Sequence, residues 1–240
     1  MSATSAAERI CVALDFPARS EAVAMARRLA GRAGWMKVGL EAFTAEGPSV
    51  VAEVAAASRA KIFLDLKFHD IPATVAGAVA SAARSGAAMV NVHASGGRAM
   101  LEAARQAAIR AGLERLVAVT LLTSIDSRAL ADLPMAGPPE GIARRLALLA
   151  KEAGLDGVVC SATDLAAIRG ACGPGFLTVV PGIRPAGADV QDQKRVATPG
   201  AAVAAGADLL VIGRPVTGAP DPGAALDRIL EEVDSALARR

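Results

Sequence analysis

The sequence contains no tyrosine and a single tryptophan, and aromatic residues make up only 2% of it. Surfaces that hold single-stranded nucleic acid stack bases on aromatic side chains, so this scarcity argues against nucleic acid as a partner. Charge argues the same way. Lys and Arg number 26 against 24 Asp and Glu, a formal net charge of +2, and no basic tail or block stands out. The cysteines are few: Cys11, Cys160 and Cys172 lie far apart and form no CxxC pair, which reads most simply as buried thiols in a reducing compartment. Long hydrophobic runs are missing as well. The longest stretch without Asp, Glu, Lys or Arg runs from Gly170 to Ile183 and is broken by Pro and Gly, whereas a transmembrane helix needs about 20 consecutive apolar residues. The mean hydropathy of +0.40 instead reflects alanine, about a quarter of the chain. Met1 to Glu8 has no basic region followed by an apolar one, so the expectation is a cytoplasmic protein with no secretory signal and no membrane partner.

What is present is an alternation of two segment types over 240 residues. Short apolar or β-branched runs predict strands at 10–16, 35–40, 61–68, 89–94, 116–123, 157–162, 177–183 and 209–215. Between them, segments of helical period predict helices at 19–30, 47–57, 71–85, 98–111, 140–153 and 221–238, with shorter ones at 164–171 and 199–205. Gly34, Gly86, Gly112, Gly154 and Gly206 stand where helix C-caps are expected. Eight strand–helix units of roughly 30 residues are the arithmetic of an α/β fold, a (β/α)8 TIM barrel, and no linker divides residues 1–240, so a single domain is expected. An open doubly wound sheet is the alternative, but no G-x-G-x-x-G follows the first strand. The least regular segments, 123–139 and 184–199, both follow strands; the second has the length of a lid.

Barrel strands are buried on both faces and should be continuously apolar, yet several carry charge. Asp15 ends the first strand, Lys37 lies in the second, Asp65 and Lys67 lie in the third, and Asp70 follows it. The chain holds five lysines against 21 arginines, so lysine inside strands suggests that arginine would not serve. Lysine can give up a proton; arginine effectively cannot. Asp65 and Lys67, two residues apart on a strand, should project to one side. Alternating carboxylates and ammoniums hold one another ionised. A positioned ammonium can stabilise and protonate a carbanion, and a carboxylate beside an anionic group favours its loss as neutral CO2. A buried ion-pair network that only closes the barrel is the bland alternative.

The seventh strand ends in Pro181-Gly-Ile-Arg184 and the eighth in Gly213-Arg214-Pro215. Loops after these two strands are the recurrent phosphate site of the barrel. Gly lets backbone approach the anion, and Arg offers a planar fork to its oxygens. A phosphorylated small molecule is the implied ligand.

These residues resemble a known family. Asp65-Leu-Lys67-Phe-His69-Asp70-Ile71-Pro72-Ala-Thr74 is similar to the signature of orotidine 5′-phosphate decarboxylases: its D-x-K-x-x-D core is shared by a wider barrel group, its I-P-x-T continuation is more specific. Val12-Ala-Leu-Asp15, Lys37-Val-Gly, Asn91-Val-His93-Ala, Leu122-Thr123-Ser124, Pro181-Gly-Ile-Arg184, Gln193 and Gly213-Arg214-Pro215 extend the match over nearly the whole chain. Ala73, where Asn is commoner, departs from it. The resemblance implies a homodimeric barrel, without cofactor or metal, that converts orotidine 5′-phosphate to UMP and CO2 in pyrimidine biosynthesis. It implies Lys67 as the proton donor to C6 and Asp65 facing the substrate carboxylate. Lys37 would join the array and contact the ribose, and Asp70 would reach across the dimer into the partner's site. Asp15 would lie at the ribose and Thr74 near it from the partner side, Thr123 or Ser124 at the pyrimidine, and Pro181, Arg184, Gln193, Gly213 and Arg214 around the phosphate, Gln193 from the closing loop.

Two rivals remain at this point. One is a Mg2+-dependent sugar-phosphate decarboxylase or aldolase of the wider D-x-K-x-x-D group. The other is a non-catalytic phosphate-binding barrel. The only histidines, His69 and His93, form no close ligand pair in sequence, and structural roles are the simpler expectation for both.

Overall fold

The computed structural model describes residues 5–186 and 196–239. Among these residues, eight parallel strands close into a barrel in sequence order, with β8 (Leu209–Ile212) pairing back onto β1 (Ile10–Ala13). Between them run β2 (Trp35–Gly39), β3 (Lys61–Phe68), β4 (Met89–His93), β5 (Arg115–Val119), β6 (Gly157–Val159) and β7 (Leu177–Val180). The outer layer comprises α1 (Arg19–Arg28), α2 (Leu40–Glu46), α3 (Ser49–Ser58), α4 (Pro72–Arg84), α5 (Arg98–Arg110), α6 (Ser127–Leu130), α7 (Pro139–Glu152), α8 (Leu165–Cys172), α9 (Pro199–Ala204), α10 (Arg214–Thr217) and α11 (Pro222–Leu237).

Alternation along each strand divides the apolar residues into two cores. Residues of one parity, such as Val12, Met36, Leu64, Val90 and Leu210, face outward into the layer of helices. Residues of the other parity fill the barrel: Cys11, Ala13, Phe63, Met89, Val117, Val179, Leu209 and Val211 form a separate interior cluster. Burying each large side chain of this kind contributes about 1.5–3 kcal/mol. One pleat beyond this apolar plug, the same inward parity brings Lys37 after Trp35, Asp65 after Phe63 and Asn91 after Met89. The interior thus changes from apolar to charged toward the C-terminal mouth.

Helix starts follow their local chemistry. Proline occupies the first turn of α4, α7, α9 and α11, where its missing N–H costs nothing. The Asp221 side chain accepts from the Gly223 and Ala224 backbone N–H groups at the start of α11, and Ser161 and Asp164 form a capping box before α8. At the opposite mouth, the Arg169 guanidinium on α8 ties β7 to β8. It donates to Thr178 Oγ1 and the Phe176 carbonyl at 2.7 and 2.6 Å, to the Gly206 carbonyl and to Asp208.

Several expectations are corrected. The first strand stops at Ala13, so Asp15 lies in the loop beyond it; the fifth runs from Arg115 to Val119. Leu40 starts α2, a helix absent from the sequence reading, and the expected end of the eighth strand is α10. Gly34 is not a left-handed cap. That conformation belongs to Gly31 at φ 76°, while Gly34 allows close approach: a Cβ there would sit 2.9 Å from the Glu8 Cα. Gln193 lies outside the described residues.

Candidate active site

Nine of the sequence-predicted residues surround one cavity of about 490 Å3 at the C-terminal mouth: Asp15, Lys37, Asp65, Lys67, Thr123, Pro181, Arg184, Gly213 and Arg214. On one wall the charges form a chain. Lys37 Nζ lies 2.7 Å from Asp15 Oδ1 and 3.4 Å from Asp65 Oδ2. Lys67 Nζ lies 2.7 Å from Asp65 Oδ1. The Asp65 carboxylate is therefore held between two ammoniums, and Lys37 between two carboxylates.

Burial and charge oppose each other here, and charge prevails. Burial is the largest influence on Asp65 and favours its neutral form. Lys37 and Lys67, with hydrogen bonds from Lys67 and Asn91, outweigh it and hold the carboxyl below its ordinary range. Burial likewise pulls Lys37 down, but Asp65 and Asp15 together raise it. Both groups stay charged near neutral pH.

Asp65 and Lys67 do share a side, but not through regular alternation. Leu64 pairs with Val90 and Phe68 with Val92, so β3 carries a bulge between them. Lys67 sits inside it at φ 52°, the left-handed region, uncommon for a residue with a side chain. The Lys67 ammonium is half-buried and reaches the cavity from this bulge.

Two residues of the array were named in the sequence without a role. Asn91 is fully buried; its Nδ2 donates to Asp65 Oδ1 at 2.6 Å and its Oδ1 accepts the Lys67 backbone N–H at 2.8 Å. The available signal was an amide inside a barrel strand. Gly39 packs under the array: a Cβ there would lie 2.7 Å from Asp15 Oδ1 and 2.9 Å from Lys37 Nζ.

At the same cavity, β7 leads to Gly182, in the left-handed region at φ 76°, and to the buried Arg184. The Arg184 backbone is fixed by its N–H donating to the Ala197 carbonyl at 2.9 Å. After β8, Gly213 precedes α10, which begins with the exposed Arg214. Two arginines thus line the same cavity as the Lys–Asp array, the chemistry for a ligand that carries an anionic group.

Asp70, Thr74 and Ser124 do not line this cavity and are exposed. Asp70 Oδ1 accepts the Ile71 N–H at 2.6 Å just before α4. His69 and His93 pack against each other with ring centroids 5.3 Å apart. Burial, followed by the charges of His69 and Lys67, lowers the His93 pKa. Cys160 lines the cavity, and all three cysteines are buried free thiols. Among the described residues no group of three or more His, Cys, Asp or Glu side chains is placed to hold a metal ion, and no helix is long and apolar enough to cross a membrane.

Comparison with known proteins gives a consistent result. Residues 8–229 match the model of the family described as Orotidine 5′-phosphate decarboxylase / HUMPS. An orotidine 5′-phosphate decarboxylase of Anaeromyxobacter sp. (strain K) is 56% identical over 218 residues, covering 91% of this chain and 95% of the relative. One from Halorhodospira halophila is 54% identical over 229 residues, covering 95% and 97%. Among solved structures, the orotidine 5′-phosphate decarboxylase of Lactobacillus acidophilus superposes with a TM-score of 0.83 at 35% identity, covering 95% of this chain and 99% of that one.

Proposed function

Because the chain belongs to the orotidine 5′-phosphate decarboxylase / HUMPS family, we propose that it is a carbon–carbon lyase converting orotidine 5′-phosphate to UMP and CO2. The observation that carries this reading is the Lys37–Asp65–Lys67 array lining one cavity together with Arg184 and Arg214. Relatives that share more than half of its residues over nearly its whole length bear the decarboxylase name.

The chemistry follows from that placement. Arg184, Gly213 and Arg214, with Pro181 beside them, bind the phosphate, and the family resemblance adds Gln193 to them. Asp15 and Lys37 hold the ribose, and Thr123, the member of the Thr123–Ser124 pair that lines the cavity, borders the pyrimidine. The substrate carboxylate then lies against Asp65. The C6–carboxylate bond breaks, CO2 leaves, and the electron pair remains on C6. The Lys67 ammonium stabilises that developing charge and transfers its proton to C6; solvent reprotonates the amine. Phosphate contacts remote from the breaking bond supply binding energy that holds substrate against the charged wall.

A homodimer completes the site. Asp70 and Thr74 are exposed and absent from their own cavity wall, as expected of residues that serve the partner's site. Ile71 beside them is an exposed apolar residue that such an interface would cover. A cytoplasmic location suits an enzyme of nucleotide synthesis with three free thiols.

The test is to add orotidine 5′-phosphate to purified protein in excess EDTA and follow pyrimidine absorbance. Loss of substrate with equimolar UMP is expected. Turnover of a sugar phosphate only with Mg2+ would instead assign the metal-dependent chemistry. Lys67→Ala should lower kcat by at least about 1,000-fold, since proton transfer and charge stabilisation are both lost, with UMP affinity retained.

A further inference from the structure

Asn91 is a neutral side chain at the centre of a charged array. It is wholly buried in β4 and directed inward, so both ends of its amide need partners. Both partners belong to the same short segment of β3. Its oxygen receives the Lys67 backbone N–H and its NH2 group donates to Asp65 Oδ1. Only one orientation of the amide satisfies a backbone donor and a carboxylate acceptor together, so the network fixes the assignment.

The segment it holds is the irregular one. Four residue steps along β3, Leu64 to Phe68, span two along β4, Val90 to Val92. Lys67 lies in this bulge in the left-handed region, a conformation that persists only where surroundings over-determine it. Asp65 Oδ1 takes Lys67 Nζ and the Asn91 amide, which leaves Oδ2 turned to Lys37.

We propose that Asn91 is the positioning residue of the array: one amide holds the bulge that directs Lys67 into the cavity and sets the rotation of the Asp65 carboxylate between the two ammoniums. It acts through these two residues and touches no reacting atom. The assignment rests on the decarboxylase reading above and extends it to a strand that supplies neither acid nor base.

The test is steady-state kinetics of Asn91→Ala and Asn91→Asp with orotidine 5′-phosphate from pH 5 to 9, alongside UMP binding and thermal melting. In Asn91→Ala the acceptor and donor both vanish. A misplaced ammonium of this kind lowers kcat about 100-fold, while UMP affinity, set by the distant phosphate contacts, stays within about threefold because those contacts are untouched. In Asn91→Asp the acceptor for the Lys67 N–H remains, but a second carboxylate oxygen stands where Nδ2 lay, 2.6 Å from Asp65 Oδ1. Two such carboxylates do not both ionise; they share a proton whose apparent pKa is raised. When protonated, the new acid donates to Asp65 as the amide did. The ratio of its kcat to that of wild type therefore rises as pH falls.

Asp65 and Lys67 face the position from β3, Lys37 stands behind Asp65 on β2, and His93 and His69 lie nearby. All are common to variant and wild type, so the ratio isolates the new group. A folded Asn91→Ala with kcat within twofold of wild type, or an Asn91→Asp ratio independent of pH, overturns the proposal. A merely structural role would lower melting temperature and active fraction without a new ionisation. If Asn91→Ala does not fold, the pH profile of Asn91→Asp decides alone. Absence of turnover in wild type would remove the decarboxylase reading itself, an outcome distinct from an active wild type with a flat ratio.

Discussion

Asp65 is a carboxylate buried inside the barrel mouth. Stripping water from a carboxylate costs several kcal/mol, and close partners must offset it. Lys67 and Lys37 do so at 2.7 and 3.4 Å. The consequence for pH has a definite sign. Asp65 is held below its ordinary value of 3.8, so its contribution is complete above that pH and disappears as pH falls through the lower folded value. Lys37 is held above its ordinary 10.5, so its contribution is complete below that pH and disappears as pH rises through the higher folded value. Equilibrium urea denaturation should therefore give a stability difference between wild type and Asp65→Asn that is constant from about pH 5 to 7 and changes in stronger acid, as Asp65 protonates. A difference that varies between pH 5 and 7 would contradict the assignment. Gly39 gives a second residue-level prediction. Its backbone angles, φ −96° and ψ −176°, suit any residue, so Gly39→Ala introduces no backbone strain. Its methyl group would instead meet Asp15 and Lys37. Displacing that pair by a fraction of an ångström should cost about 10- to 100-fold in kcat/KM with little change in melting temperature. Unaltered kinetics would show that the pair is not held in place by Gly39.

The elements differ in how far the sequence discloses them. The strand–helix alternation was legible because each unit buries one apolar strand and one helix face, both with local periodicities. The positions of Lys37, Asp65 and Lys67 were legible because charge in a buried strand is conspicuous. The bulge in β3 was not, because it is fixed by Asn91, 24 residues away, and no local pattern records such a bond. Helix α2 was hidden for a related reason: it is seven residues long, and Lys37-Val-Gly continues into it as though the strand went on. The N-terminal mouth offers an element-scale prediction that is independent of catalysis. Arg169 on α8 gathers the Phe176 and Gly206 carbonyls, Thr178 and Asp208. Removing it would take the guanidinium from these carbonyls and from the partly buried Asp208, which keeps its bonds from the Thr178 N–H and hydroxyl, so Arg169→Ala should destabilise by about 1–3 kcal/mol. Calorimetry or urea unfolding measures this, and kcat of the folded fraction should be unchanged, since the charged array lies at the other mouth. A loss below about 0.5 kcal/mol, the range of ordinary surface substitutions, would show that neighbouring strand pairing holds β7 and β8 without it.

At the scale of the whole molecule, the barrel separates stability from chemistry. The apolar plug and the helix layer hold the frame, and the charged layer is exposed only at one mouth. That mouth supplies every predicted site residue within the described chain except three, Asp70, Thr74 and Ser124. Asp70 and Thr74 flank the exposed Ile71. If they complete a neighbour's site, catalysis is a property of the dimer, and complementation reveals it. Asp70→Ala and Lys67→Ala should each be inactive as homodimers. In a heterodimer one site lacks both residues, while the other combines Lys67 of the first subunit with Asp70 of the second and is intact. Random re-association makes half the dimers mixed, so activity should return to about a quarter of wild type, as two-fold symmetry requires. If Asp70 instead served its own subunit, every site in the mixture would lack one residue and no activity would return. Mixing the refolded variants, checking the dimer fraction by sedimentation and following UMP formation separates the two cases. The recovered activity should also fall on dilution below the dimer dissociation constant, because the intact site exists only while the two chains remain together.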